Sequence, residues 1–339
     1  MVPADEARRH EGARMKITVF GAGAVGCHFA ARMARAGVGF TLVARPATAR
    51  AIEREGLRFI STSEDFTVPV TVVDDTRNLG PQDAVIVALK AYSLAAALDD
   101  LAPLLGSHTT VVFAVNGIPW WYGLGGQTPL GPLDALDPGG RIASRIGIDR
   151  SAGCVVHSAN MMEGTATVRN ISTRNRFFLG AAGASPLPQL APLTRILAGS
   201  LDEVVPADDI RREVWKKLLH NLPASLIGCL TRSRADQIAA SPRLSDLYRQ
   251  VREEARRVAL ALGIELADDT DAQLRHMSIL KHRASMLQDL LAGRRLEIDA
   301  QVLAVREIAA RCDVPVPKVD LLATLLQALE ANSSADRIP

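Results

Sequence analysis

Two sets of residues have types and spacings able to do chemistry. The first is the glycine series in K-I-T-V-F-G-A-G-A-V-G, Lys16–Gly26. Gly21, Gly23 and Gly26 stand at G-x-G-x-x-G spacing. Gly21 permits a tight turn, Gly23 lets a pyrophosphate approach the backbone, and Gly26 lets the following helix pack close to the strand. With Ala22, Ala24 and Val25 between them, they would offer phosphates the N–H groups and positive end of a helix. The chemistry is dinucleotide binding; the alternative is a glycine-rich structural turn in another α/β protein. The second set is Lys217, Asn221 and Ser225, whose i, i+4, i+8 spacing puts an ammonium, an amide and a hydroxyl on one helical face. They lie among Leu218, Leu219, Leu222 and Leu226, a polar stripe on an apolar helix. A surface lysine and a satisfied core asparagine are the plainer explanation, and periodicity leaves both open. Pro223, between them, removes one backbone donor and is expected to kink the helix or expose a carbonyl.

Three more polar groups fall at the carboxyl ends of expected strands, where open parallel sheets bind ligands. Phe40–Ala44 reads as the second strand, and Arg45 follows it. Sites that prefer NAD place a carboxylate on the ribose about 20 residues after the glycines. Here no Asp or Glu occurs from Cys27 to Ile52, while Arg45 and Arg50 are present. A ribose phosphate suits those cations, so NADP is expected over NAD; a solvated loop arginine is the alternative. Lys90 closes the strand Ala84–Leu89, as a cofactor or substrate contact or as a surface lysine opening a helix. Asn116-Gly117 ends the strand Thr110–Val115, where an amide could bond beside a nicotinamide and where an ordinary turn would use the same pair.

The elements that must position these groups make an α/β chain. Ile17–Phe20 is a short β-branched run, then the glycines, then a helix to Gly37. Val68–Val73 reads as a further strand; Gly153–Ser158, Thr165–Asn170 and Arg176–Gly180 read as strands extending the same sheet, with antiparallel pairing open, and His157 packs within it. Pro119–Gly140 is loop-like, its Trp120-Trp121-Tyr122 packed down or covering a site. Beyond Pro206-Ala207 nearly everything reads helical: Arg211–Leu222, Leu247–Leu262, Thr270–Ala292, Val302–Cys312 and Val319–Ala331. The expected layout is a loose extension at 1–14, a Rossmann-type doubly wound domain at 15–207, an all-helical domain at 208–331 and a tail at 332–339. At 339 residues two domains are the prior. A net charge of +2 argues against a nucleic-acid surface. No apolar run is long enough to cross a membrane. Cys27, Cys154, Cys229 and Cys312 are scattered, which suits free thiols in the cytoplasm, and no metal is expected.

The chain resembles the ketopantoate reductase family (2-dehydropantoate 2-reductases) from Lys16 to about Ala331. Three motifs beyond the glycines carry the resemblance: Asn116-Gly117; W-x-K-L-x-x-N at Trp215–Asn221; and S-M-x-Q-D…G-R-x-x-E-I-D at Ser285–Asp299. The N-G-I-P-W-W-Y form at Asn116–Tyr122 is similar to a bacterial subgroup. The resemblance implies NADPH-dependent reduction of ketopantoate to pantoate, on the way to pantothenate and coenzyme A. It implies Lys217 as the active-site lysine and Asn116 near nicotinamide and substrate. Asn221, Ser225, Ser285 and Glu297 become substrate contacts, with Arg45 on the ribose phosphate and Lys90 as the lysine after the fourth strand. Where the family carries a further asparagine, four residues past Asn221, this chain has Ser225, with one donor in place of two. That departure bears on which substrate is taken, not on the chemistry of Lys217. The site is expected to lie between the domains and to close on a small 2-oxo acid, and the C-terminal helices could serve a homodimer. Two rival classes are a reductase of another branched or bulky 2-oxo acid and a non-catalytic NADP(H) sensor.

Overall fold

The computed structural model describes residues 15–126 and 128–335; the extension at 1–14 and the last four residues of the tail lie outside them. The chain divides into two compact units. The first runs through Asn116 and resumes at Arg141–Ile210; the second is Gly117–Gly140 and the chain from Arg211 onward.

In the first unit, β1 (Ile17–Phe20), buried along its whole length, leads through the glycine turn into α1 (Ala24–Arg35). There follow β2 (Thr41–Val43), α2 (Pro46–Glu55), β3 (Leu57–Ile60), β4 (Asp65–Val68), β5 (Val72–Val73), β6 (Gln82–Val87) and β7 (Leu105–Phe113). After the excursion into the second unit come β8 (Ser151–His157), β9 (Asn160–Met162), β10 (Thr167–Asn170), β11 (Arg176–Ala181), α3 (Leu190–Ala198) and β12 (Glu203–Pro206). The main sheet has the order β12-β11-β8-β7-β6-β1-β2-β5. Strands β5, β2, β1, β6, β7 and β8 are parallel, the doubly wound arrangement whose strand order reverses beside β1. β11 joins β8 antiparallel and β12 runs parallel to β11, so the last two strands reverse the sheet's direction.

One expected strand goes elsewhere. Thr165–Asn170 does not extend the main sheet: β10 pairs with β3 in a second sheet of order β4-β3-β10-β9. The edge of β8 that it would need is taken by β11. Buried Phe59 and Val168 instead belong to the core cluster that Phe29 of α1 shares. The run Val68–Val73 likewise splits, with Val68 closing β4 and Val72 opening β5.

In the second unit, α4 (Ile210–Thr231), α5 (Ala235–Ala240), α6 (Pro242–Ala261), α7 (Thr270–Met277), α8 (Ser285–Leu291), α9 (Ala304–Arg311) and α10 (Pro317–Ala335) follow, with a π-turn at Asp299–Leu303 before α9. The single helix expected over Thr270–Ala292 is two, α7 and α8. The carbonyls of Leu280 and His282, in the segment between, accept the N–H groups of Asp236 and Ala235 at the start of α5, so they are diverted from helix continuation. Helix α10 also runs into the expected tail, as far as Ala335. Among the described residues no helix is long and apolar enough to cross a membrane.

Residues 117–140, expected inside the first domain, group with the second, and the division falls after Ile210 and not at Ala207. Side-chain bonding explains it. Tyr122 Oη accepts from Trp215 Nε1 at 2.6 Å, and the N–H groups of Asp134 and Ala135 donate to the Glu307 carboxylate, each at 2.9 Å. Trp120 and Trp121 are buried, with the Arg211 guanidinium over the Trp121 ring, so this aromatic run packs the loop down.

Candidate active site

The glycine turn is built as its spacing implies. Gly21 has φ +110°, and a Cβ there would stand 2.7 Å from Leu89 Cδ2. A Cβ at Gly26 would stand 1.8 Å from the carbonyl oxygen of Gly21, so what Gly26 admits is the turn itself, with Ala88 behind it. Gly23 meets only Ala88 O, at 3.9 Å, which leaves its outer side open for a ligand. It is the N-cap of α1, its carbonyl accepts from Cys27 N at 2.8 Å, and no side chain caps the helix. The first N–H groups of α1 thus have no side-chain competitor for an anion.

Arg45 is the exposed N-cap of α2, two residues beyond β2. Lys90 is half-buried, three residues beyond β6, and its carbonyl accepts from Ser93 N at 2.9 Å as a short 3-10 turn begins. Asn116 is half-buried, three residues beyond β7. Gly117 has φ +78°, and a Cβ there would lie 2.5 Å from Ala300 O. Ile118 N donates to that same oxygen at 2.8 Å. The glycine of the Asn-Gly pair is therefore required by a left-handed turn pressed onto the π-turn.

In the second unit, Lys217 and Asn221 are half-buried on α4 while Ser225 is buried, between buried Leu218, Leu219, Leu222 and Leu226. Pro223 sits inside this helix without ending it. The carbonyl it frees, Leu219 O, is not exposed: it accepts from Arg252 Nη1 at 3.2 Å. The same nitrogen lies 2.8 Å from His220 Nδ1, and Arg252 also pairs with Asp269. Burial, then the adjacent guanidinium, push the His220 pKa down to about 4, which leaves its ring nitrogen neutral to accept. Arg252, 2% exposed, thus supports the helix at the carbonyl that Pro223 frees.

Ser225 Oγ donates to Gln301 Oε1 at 3.3 Å. Gln301 lies in the π-turn and is fully buried. Its N–H donates to Glu297 O at 3.2 Å, and Glu297 is itself buried just before the turn. A Cβ at Gly117 would stand 3.0 Å from Gln301 Cγ. Ser225, Glu297, Gln301 and Gly117 thereby form one connected cluster. Ser285 stands apart: it is exposed at the first position of α8, and no hydrogen bond links it to Lys217, Asn221, Ser225 or Glu297 among the described residues. Gln301 and Arg252 carry no sequence signal that singles them out. One is an amide in an apolar run; the other is one of several arginines on an amphipathic helix. No group of side chains suited to a metal ion occurs among the described residues.

Two family models match the chain: Ketopantoate reductase PanE/ApbA over residues 17–121, and Ketopantoate reductase PanE/ApbA C terminal over residues 209–330. The chain belongs to the ketopantoate reductase family. It is 40% identical over 319 residues to a 2-dehydropantoate 2-reductase of Mesorhizobium japonicum, covering 93% of this chain and 98% of the relative. The crystal structure of a PanE/ApbA family ketopantoate reductase from Ralstonia eutropha JMP134 superposes with TM-score 0.80 at 27% identity, over 94% of this chain and all of the other. A D-mandelate dehydrogenase with NADH and anilino(oxo)acetate shares the fold, with TM-score 0.79 at 21% identity over 94% and 99% of the two chains. As a ketopantoate reductase family member the chain is an oxidoreductase with a Rossmann-like NAD(P)-binding unit, in agreement with its β1–glycine turn–α1 geometry. The family also accounts for a helical second unit.

Proposed function

We propose that the chain reduces 2-dehydropantoate (ketopantoate) to pantoate with NADPH, a step toward pantothenate and coenzyme A. The observation that carries the reading is the 40% identity to a 2-dehydropantoate 2-reductase over nearly the full length of both chains. The glycine turn fits a dinucleotide, since Gly23 leaves the phosphate approach open above an uncapped helix. Gly21 to Gly26, including Ala22, Ala24 and Val25, would hold the pyrophosphate through backbone N–H groups. Exposed Arg45, with no acidic residue from Cys27 to Ile52, favours the ribose phosphate of NADP over NAD. Lys90 and Asn116 are assigned to the coenzyme, and Asn116 also to the substrate.

When bound along the glycine turn Gly21–Gly26, the coenzyme would supply a hydride for the C2 carbonyl carbon of the 2-oxo acid. Negative charge would then grow on the carbonyl oxygen, and the role assigned to the Lys217 ammonium is to stabilise it and give the proton. Asn221 and Ser225, one and two turns along the same face of α4, bind substrate oxygens or orient Lys217. Glu297 is assigned to the substrate hydroxyl and Ser285 to its carboxylate. Cytoplasmic location and a homodimer through the C-terminal helices belong to the same proposal, the latter checked by mass in light scattering.

The decisive experiment is Lys217→Ala assayed with NADPH and ketopantoate. Turnover should fall roughly 10²–10⁴-fold, the range for a positioned proton donor, with NADPH affinity retained. Near-normal turnover would remove Lys217 from the role. A second reading, a reductase of another branched or bulky 2-oxo acid, draws on the Ser225–Gln301 bond, which commits the hydroxyl at 225 to the protein. Comparing kcat/KM for ketopantoate with a 2-oxo acid panel decides between them. Tight NADPH binding without oxidation by any 2-oxo acid would instead indicate a sensor.

A further inference from the structure

We infer that Gln301 is a positioning residue for the reaction, registering the segment that carries Glu297 against the helix that carries Lys217. The inference rests on the proposed reductase activity. Gln301 touches both parts. Its backbone N–H donates to Glu297 O at 3.2 Å, and its side-chain Oε1 accepts from Ser225 Oγ at 3.3 Å. Ser225 lies one helical turn from Asn221 and two from Lys217, on the same face of α4. Gln301 is also wedged against the Gly117 turn, whose Ile118 N–H donates to the neighbouring Ala300 O at 2.8 Å.

The backbone there is a π-turn, the irregular geometry that helices adopt at functional sites. It begins at Asp299, whose carbonyl accepts from Ala304 N–H, just after the ordinary turn that Gln301 N–H closes on Glu297 O, and the Gln301 side chain within it meets Ser225.

The energetics point away from a stabilising role. Gln301 is fully buried, and its Nε2, with two N–H donors, has no partner among the described residues. A buried unsatisfied donor costs stability, and an apolar side chain of the same shape would avoid that cost. One neutral hydrogen bond, to a serine, is a modest return. The amide is therefore held for where it sets its neighbours. With its backbone bonded to Glu297 and its side chain to Ser225, what it sets is the spacing between the segment that carries Glu297 and the Lys217 face.

The test is Gln301→Met, which keeps the side-chain length and removes both the orphan donor and the acceptor. Thermal denaturation should show Tm unchanged or raised. In the same preparation kcat/KM for the 2-oxo acid should fall about 10- to 100-fold, the scale of an ångström of misplacement. KM for NADPH should stay within twofold of wild type. Ser225→Ala, which removes the other half of the bond, should reproduce the loss of kcat/KM, and Gln301→Glu, which retains an acceptor for Ser225, should recover part of it. A kcat/KM within twofold of wild type in Gln301→Met overturns the inference. So does a loss of activity that tracks a fall in Tm and raises the KM of both ligands, because that is ordinary core damage. Wild-type turnover separates the two levels. If wild type reduces no 2-oxo acid, the reductase reading fails and takes the inference with it; if wild type turns over and the methionine variant matches it, the inference alone fails.

Discussion

Two glycines of one motif should fail in different ways when a methyl group is added. A Cβ at Gly26 would stand 1.8 Å from Gly21 O, whereas ordinary contact begins near 3.4 Å, so the start of α1 must retreat by about 1.6 Å or the turn must open. Neither partner is a flexible side-chain end: the atom struck is backbone, and Gly21 N is itself tied to Val43 O at 3.0 Å. Overpacking of this kind costs about 3 kcal/mol, the upper end of its usual range. For a unit of this size that lowers Tm by about 6–12 °C. Gly23 has ordinary backbone angles, φ −84° and ψ −173°, and its Cβ would approach only Ala88 O, at 3.9 Å. Gly23→Ala should cost at most about 1 kcal/mol, from its N-cap position, or about 2–4 °C. Its methyl group points into the space assigned to the pyrophosphate. Losing one charge-assisted hydrogen bond, about 1.5–3 kcal/mol, raises the NADPH Kd by roughly one to two orders of magnitude. Calorimetric Tm and NADPH fluorescence titration of both variants make the comparison. Gly26→Ala should lose stability and affinity together; Gly23→Ala should lose affinity with Tm nearly intact. A Gly23→Ala protein destabilised as far as Gly26→Ala would refute the division of labour, as would a Gly26→Ala protein with wild-type Tm.

Coenzyme choice should turn on Arg45. Arg45→Glu should raise KM for NADPH about 10- to 100-fold, the value of one charged hydrogen bond, while improving kcat/KM with NADH relative to NADPH; an unchanged ratio of the two kcat/KM values would remove Arg45 from coenzyme selection. The first unit should weaken in acid through His28, which is 1% exposed, lies 2.8 Å from Asn160 Oδ1 through Nδ1, and whose pKa burial pushes down to about 4. Because the folded value lies below the unfolded 6.5, the unfolded chain binds a proton first as pH falls. Stability is full above pH 6.5 and declines by about 3 kcal/mol between pH 6.5 and 4. Urea denaturation from pH 7 to 4 should show that slope, and His28→Gln should flatten it; a parallel profile in the variant would show that other groups carry the acid sensitivity.

Local pattern was enough to foresee much of this protein. The glycine spacing after a β-branched run placed the tight turn at Gly21 and the start of α1, because turn and helix start depend on residues within a few positions of each other. The 3.6-residue periodicity after Ala207 foresaw a helical second half, and the stripe Lys217–Asn221–Ser225 followed from it, since a single helix needs no distant partner to define its faces. Only the tertiary structure decided which strand pairs with which. Thr167–Asn170 looks like any half-buried strand, and its choice of β3 over the main sheet is made by a chain returning from far away. The allegiance of residues 117–140 rests on bonds such as Tyr122 to Trp215 and Asp134 to Glu307, across separations that no periodicity spans. The same holds for the supports of the candidate site. The carbonyl freed by Pro223 could be foreseen; that Arg252 would take it could not. Nor could Gln301 be seen as the neighbour of Ser225, 76 residues earlier in the chain, because an amide in an apolar run acquires its meaning only when folding buries it and leaves one bond to make.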